Sequence, residues 1–199
     1  MCLLLETIKT VDRNLVNLEY HQKRVDRSIR DLFNKNARVN LAKEIKVPGY
    51  LGKGLFKCRV IYDQEIRKVE FLPYKQQEIT TLKLVLCNDL DYSYKFENRQ
   101  IITKLLELKG RCDDILIQKN DLITDTSFCN IIFSDGNNWI TPSNPLLKGT
   151  QREYLLEKDM ISEANIKGTD IYSFNSFKLI NAMINIETSQ TLPVRNIFL

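Results

Sequence analysis

Three segments of this 199-residue chain carry side chains whose types and spacing could do chemistry. In Asp91-Tyr92-Ser93-Tyr94-Lys95-Phe96-Glu97-Asn98-Arg99, a lysine lies between aromatic residues just ahead of an expected helix. Apolar surroundings favour the neutral amine over the ammonium ion, and a neutral amine is what a Schiff-base lysine needs. A solvated lysine in a charged turn would read the same way. In Leu147-Lys148-Gly149-Thr150-Gln151-Arg152, a glycine turn feeds a helix start. Free backbone N–H groups and the positive end of the helix dipole suit a phosphate there, and an ordinary glycine bend is the plainer alternative. In His21-Gln22-Lys23-Arg24, His21 and Arg24 share one helical face, where Arg24 could grip a phosphate bidentately or simply decorate a surface helix.

Other chemistries are poorly supplied. His21 is the only histidine, which argues against a His-based metal site or a Ser-His-Asp triad. The five cysteines are scattered without a CxxC pair, so reduced thiols are expected rather than a zinc site or a disulfide framework. No metal is expected. No GxGxxG or GxxxxGK[ST] motif is present, which disfavours dinucleotide and P-loop sites.

The elements that must position these residues follow from periodicity. A strand over Leu3–Val11, a turn at Asp12-Arg13-Asn14 and a short strand over Leu15–Leu18 form a hairpin. Tyr20, Val25, Ile29, Leu32 and Phe33 recur at helical spacing over Glu19–Phe33, and Leu41, Ile45 and Val47 suggest a shorter helix. Strands are expected over Leu55–Tyr62, Arg67–Pro73 and Thr81–Cys87, then a helix over Asn98–Leu108 closed by Gly110. Asp114–Gln118 is extended, Leu122–Phe133 is read as one further extended stretch, and Asp135-Gly136 turns a hairpin into Trp139-Ile140-Thr141. A helix over Thr150–Met160 and strands through Lys178–Ile186 and Val194–Leu199 complete an α+β order without repeats, its two halves meeting near Asp89–Tyr94.

Composition sets the outer limits. With 43% hydrophobic residues and only 7 Gly and 5 Pro, the chain can bury a core and is not disordered. A net charge of +4 allows a local anion pocket but not a nucleic-acid protein built on charge. The apolar run Leu3-Leu4-Leu5 is too short for a secretory signal, and no window could span a membrane. A cytoplasmic protein without nucleic-acid or membrane partners is expected.

Taken in order, the motifs resemble the class IV aminotransferase family, the fold-type-IV pyridoxal-phosphate enzymes, from about Leu5 to about Val194. Leu5-Glu6-Thr7-Ile8 is similar to its early Phe-Glu-[Thr/Gly]-Ile strand. His21-x-x-Arg24-Val25-x-x-Ser28 is similar to the helix whose arginine binds cofactor phosphate, and Lys95-x-x-Asn98 to the Schiff-base lysine motif. Asp125-(x)4-Asn130-Ile131-Ile132-Phe133 resembles the signature whose acid contacts the pyridine nitrogen, with Asp for the usual Glu. Thr141-Pro142 and Leu147-Lys148-Gly149-Thr150-Gln151-Arg152 resemble the stretch whose leucine packs on the ring and whose next residues hold phosphate; Gln151 stands where Thr is usual.

The resemblance implies pyridoxal 5′-phosphate as cofactor and Lys95 as its catalytic attachment. It implies Arg24, Asp125, Asn130, Leu147, Gly149, Thr150 and Gln151 as further cofactor contacts. It implies a fold of two small domains, residues 1–83 and 84–199, with the cofactor between them, and a homodimer. Among members, Lys95-Phe96-Glu97-Asn98-Arg99 and Ile180-Asn181-Ala182-Met183 are closer to aminodeoxychorismate lyase than to transaminases. Lys57 falls where the lyase-like members carry a basic residue; Lys57, Arg59 and Asn181 are therefore the substrate-binding candidates, although Asn181 could equally cap a helix. The expected activity is formation of p-aminobenzoate and pyruvate. A branched-chain or D-amino-acid transaminase is the alternative in the same class. This chain starts later than the family pattern, lacking a His-Tyr-Gly-[Asp/Thr]-Gly stretch, and a pyridoxal-phosphate-binding relative without catalysis is the alternative of another class.

Overall fold

The computed structural model describes residues 2–199 and divides into two compact units. One runs to Gln76 and takes in Tyr94–Asn98; the other comprises Gln77–Ser93 and Arg99–Leu199. Residues 77–83 thus group with the second unit and Lys95 with the first. Lys95 is grouped there because Phe96 bridges Leu4 and the Lys95 carbonyl accepts the Leu5 N–H at 2.9 Å.

The first unit is a four-stranded antiparallel sheet in the order β2-β1-β3-β4, with helix α1 (Leu18–Phe33) and the single turn α2 (Leu41–Glu44). Strand β1 (Leu4–Val11) pairs along its whole length with β3 (Leu55–Tyr62), which pairs with β4 (Ile66–Pro73). Alternation puts Leu4, Glu6, Ile8 and Thr10 on one fully buried face of β1. The residues of α1 buried beneath this sheet include Val25 and Ile29, which join Leu4, Ile8, Cys58, Val60 and Tyr62 in one core. The expected strand over Leu15–Leu18 is only β2 (Asn14–Leu15). Asn17 turns left-handed at φ 53°, and α1 begins at the next residue.

The second unit holds nine strands, including β5 (Leu82–Leu86), β6 (Asp114–Lys119), β7 (Leu122–Thr126), β8 (Asn130–Ser134) and β9 (Trp139–Pro142). The main path is β10-β9-β8-β7-β6-β5-β13, where β10 is Ser162–Ala164 and β13 is Ile197–Phe198. Strand β11 (Ser176–Ile180) lies along β8, and β12 (Leu192–Pro193) along β11. Helices α3 (Gln100–Leu106) and α4 (Thr150–Glu157) complete it. All five residues of β8 are buried, which explains its near-continuous apolar run.

Several further boundaries differ from the sequence expectation. The strand expected over Lys178–Ile186 ends with β11 at Ile180, and Val194–Asn196 form a 3₁₀ turn ahead of β13. The stretch Leu122–Phe133 is two strands, because the Thr126 hydroxyl accepts the Cys129 N–H and the Thr126 N–H bonds the Cys129 carbonyl, closing a tight turn. Helix α3 starts at Gln100 rather than Asn98, and Glu107–Lys109 tighten into a 3₁₀ turn before Gly110 at φ 60°. Lys95 therefore lies outside any helix, five residues ahead of α3. Helix α4 stops at Glu157, where Asp159 turns left-handed and the Met160 N–H returns to the Leu155 carbonyl. Asn181 caps no helix; it opens a short turn bridged to Ile184.

Candidate active site

In the first unit, Arg24 and His21 converge on Glu6. It stands in mid-strand on the buried face of β1, opposite Val60, and is fully buried. Arg24 Nε donates to Glu6 Oε1 at 2.8 Å and Arg24 Nη2 to Oε2 at 2.5 Å. His21, one turn earlier on α1, donates from Nδ1 to the same Oε2 at 2.5 Å. Burial alone would push the Glu6 carboxyl up. The Arg24 charge and the hydrogen bonds from His21 and Arg24 outweigh it and hold the carboxyl down at about 2. Burial pulls the His21 imidazole below its ordinary range despite its carboxylate partner, so it stays neutral with the proton on Nδ1.

Lys95 is half-buried in the segment laid against the start of β1, flanked by the Tyr94 and Phe96 rings, whose centroids lie 6.2 Å apart in an edge arrangement. Lys95 contributes to the electrostatic field at His21. Lys57 and Arg59 sit on the face of β3 opposite the buried Cys58 and Val60. Arg59 pairs with Glu70 at 3.3 Å, and Lys68 holds the same carboxylate at 2.6 Å.

In the second unit, Asp125 at the end of β7 is the register partner of Asn130 at the start of β8. Asn130 Nδ2 donates to Asp125 Oδ1 at 2.8 Å and to the Leu147 carbonyl at 2.9 Å. The Leu147 N–H donates to Asp125 Oδ2 at 2.8 Å, closing a ring of three partners. Desolvation is the largest influence on Asp125; the donors and the Arg152 charge only partly offset it, and its carboxyl is pushed up to about 6. A cation brought beside it would reverse that rise.

Gly149 and the α4 N-terminus lie against the same ring. A Cβ on Gly149 would fall 2.0 Å from Asn130 Oδ1, so only glycine allows the backbone to pass this close. Gly149 is the residue before α4 and supplies no side-chain cap, while Thr150, Gln151 and Arg152 behind it are buried. The first-turn N–H groups of a helix have no acceptor within the helix. Arg152 donates from Nη2 to the Pro142 carbonyl at 2.9 Å and pairs with Glu163. The turn between Asp125 and Asn130 is braced from behind: Arg99 Nη2 donates to the Ser127 carbonyl at 2.5 Å, and Asn181 Nδ2 reaches Cys129 Sγ at 3.1 Å.

Sequence reasoning missed Glu6 as a site residue, although a glutamate inside Leu3-Leu4-Leu5-Glu6-Thr7-Ile8 breaks an apolar strand without a turn signal. Arg99 and Arg152 stood inside the quoted motifs, but their structural partners, the Ser127 carbonyl for Arg99 and the Pro142 carbonyl and Glu163 for Arg152, had no sequence signal. Among the described residues there is no cluster of three or more metal-ligating side chains, and no helix is long and apolar enough to cross a membrane.

Comparison with known proteins gives a consistent answer. Residues 60–197 match the amino-transferase class IV family. A protein of Haemophilus influenzae, of uncharacterized activity, is 39% identical over 182 residues, covering 90% of this chain and 97% of its own. A crystal structure from Haemophilus somnus, provisionally named a 4-amino-4-deoxychorismate lyase, superposes with a TM-score of 0.84 at 34% identity, over 94% of this chain and 98% of that one. A hypothetical aminotransferase of Mycobacterium tuberculosis, solved with pyridoxal phosphate bound, shares the fold at 15% identity and a TM-score of 0.77, over 96% of this chain and 80% of that one. With the family match spanning most of the residues and a relative of nearly equal length at 39% identity, the chain belongs to the amino-transferase class IV family.

Proposed function

We propose that this protein is a pyridoxal-phosphate-dependent lyase that converts 4-amino-4-deoxychorismate to p-aminobenzoate and pyruvate. Pyridoxal phosphate is the cofactor of the family. The residues present suit it. A buried carboxylate, Asp125, has two neutral donors and a rise to about 6 that a protonated pyridine nitrogen would cancel. A buried helix start carries no side-chain cap and suits a phosphate, and Arg24, held by Glu6, is the kind of group that grips one. Lys95 is the lysine in the family position for covalent attachment.

When bound, the cofactor supplies an electron sink for the bond that breaks next to the substrate amine. Asp125 would keep the pyridine nitrogen protonated, and Arg24 with the Gly149-Thr150-Gln151 turn would hold the phosphate. Lys95 Nζ would take the proton from the ring carbon bearing the amine. The enolpyruvate that leaves needs one proton on its methylene to become pyruvate, so a single base can serve both transfers. Lys57 and Arg59 would orient the two carboxylates of the substrate, and Asn181 acts from behind, through the turn at Phe128-Cys129.

The observation that carries the lyase choice over a transaminase is the 34% identical relative from Haemophilus somnus and its provisional name. A lyase needs no second substrate, whereas a transaminase must discharge its amino group to a keto acid. The test is to give the protein 4-amino-4-deoxychorismate and pyridoxal phosphate without any keto acid. Equal amounts of pyruvate and p-aminobenzoate are expected. Turnover of an amino acid that depends on added keto acid, with no p-aminobenzoate, would reverse the choice; no turnover in either assay would favour a relative without catalysis. A cytoplasmic homodimer completes the proposal, with two-fold dimers the commonest oligomers.

A further inference from the structure

We propose that Glu6 and His21 are positioning residues for Arg24, and that together they set how the phosphate of the cofactor is gripped. The inference rests on the pyridoxal-phosphate reading of the site. Glu6 takes Arg24 side-on, through Nε and Nη2 at 2.8 and 2.5 Å. That choice of edge is what matters. A guanidinium held on its Nε–Nη2 side turns its other edge, Nη1 with the outer hydrogen of Nη2, away from the carboxylate, and this is the edge that can fork onto a phosphate. His21 Nδ1 locks the second oxygen of Glu6 at 2.5 Å, so the carboxylate cannot rotate and let the arginine swing.

The three groups come from elements that do not move independently. Glu6 is in the middle of β1, paired to Val60 of β3, and His21 and Arg24 are one turn apart on α1. Tyr62, also on that face, is fully buried, as are the core residues Leu4 and Ile8 on either side of Glu6. A carboxylate placed there costs burial energy that an apolar residue would avoid. Stability alone does not require it; holding a buried arginine in one orientation does. Glu6 also cancels the Arg24 charge, so two opposite outcomes are possible in principle. If Glu6 only dampens Arg24, its removal should tighten anion binding. If Glu6 orients Arg24, its removal should loosen it.

The experiment compares pyridoxal phosphate with pyridoxal, which lacks the phosphate, on the full chain. Affinities for both are measured for the wild type, Arg24→Ala, Glu6→Gln, His21→Ala and His21→Asn, with a thermal melt of each to verify folding. Asn can present an amide donor close to the place of the imidazole Nδ1. We expect Glu6→Gln and His21→Ala to lower the preference for pyridoxal phosphate over pyridoxal about tenfold, in line with the loss of one charge-assisted hydrogen bond. Pyridoxal affinity should hold, and His21→Asn should recover most of the preference. Equal weakening towards both compounds, tighter binding of pyridoxal phosphate by Glu6→Gln, or an unchanged preference in both variants would overturn the proposal.

Two further readouts separate the possible failures. If the wild type shows no preference for the phosphorylated compound, the cofactor reading fails; if Arg24→Ala abolishes the preference while Glu6→Gln leaves it, only the positioning role fails. Should the variants not fold, the Nε–H resonance of Arg24 in the wild-type chain decides the matter. Positioning requires that this hydrogen bond to Glu6 survive addition of pyridoxal phosphate, and its loss on binding would overturn the proposal.

Discussion

Asn130 Nδ2 bonds Asp125 Oδ1 at 2.8 Å while the oxygen of the same amide occupies the space where a side chain on Gly149 would begin. One side chain thus fixes both the candidate acid for the pyridine nitrogen and the approach of the α4 N-terminus. Asp125, one methylene shorter than the usual glutamate, has no freedom to search for the ring, and its position is set by Asn130 and the Leu147 N–H.

That arrangement predicts non-additive substitutions. Gly149→Ala places a methyl against Asn130 Oδ1 and should cost about 1–3 kcal/mol, the usual penalty for overpacking. Asn130→Ala removes two buried bonds and should cost a similar amount. The double variant should be distinctly less destabilised than the sum, because the second change removes the obstacle met by the first. Urea unfolding of the four proteins measures the coupling; strict additivity would refute the close approach.

Stability should respond to pH through two groups with opposite signs. The folded Asp125 carboxyl lies at about 6, above its ordinary 3.8, so the stability it provides is complete below pH 3.8 and is lost as pH rises to 6. The folded Glu6 carboxyl lies at about 2, below its ordinary 4.5, so the stability it provides is present above pH 4.5 and is lost as pH falls towards 2. Urea midpoints of cofactor-free protein against pH should lose their decline between pH 4 and 6 in Asp125→Asn, and should show a shallower acid limb in Glu6→Gln, where Asp113, held at about 2 by its Thr80 and Thr81 donors, keeps the rest.

The sheets were largely legible because alternation and helical spacing are strong over β1, α1 and β3, and because Asp135-Gly136 marks a turn by its chemistry. The division of Leu122–Phe133 was not, since the Thr126–Cys129 turn is closed by a hydroxyl and has no Gly or Pro. The candidate site was legible as an ordered set of motifs, Arg24, Lys95, Asp125 and Gly149, each unremarkable alone. What those residues bind in the protein was hidden. Nothing in the spacing of residues 6 and 24 says that a strand glutamate meets a helix arginine, and the contact of Gly149 with Asn130 joins residues 19 positions apart.

The basic pair on β3 should act on substrate and leave the cofactor alone. Lys57→Ala is expected to raise KM for 4-amino-4-deoxychorismate several-fold with pyridoxal-phosphate affinity unchanged. Arg59→Ala should act similarly but more weakly, because Arg59 already shares Glu70 with Lys68. Steady-state kinetics beside a cofactor titration measures both quantities, and a parallel loss of cofactor affinity would remove these residues from the substrate side.

The most direct test of the account is to find where the cofactor is attached. The purified protein is loaded with pyridoxal phosphate, reduced with borohydride, digested and mapped by mass spectrometry. The account predicts a single modified peptide, the one that contains Lys95. Modification of another lysine, or none with pyridoxal phosphate in excess, would contradict it.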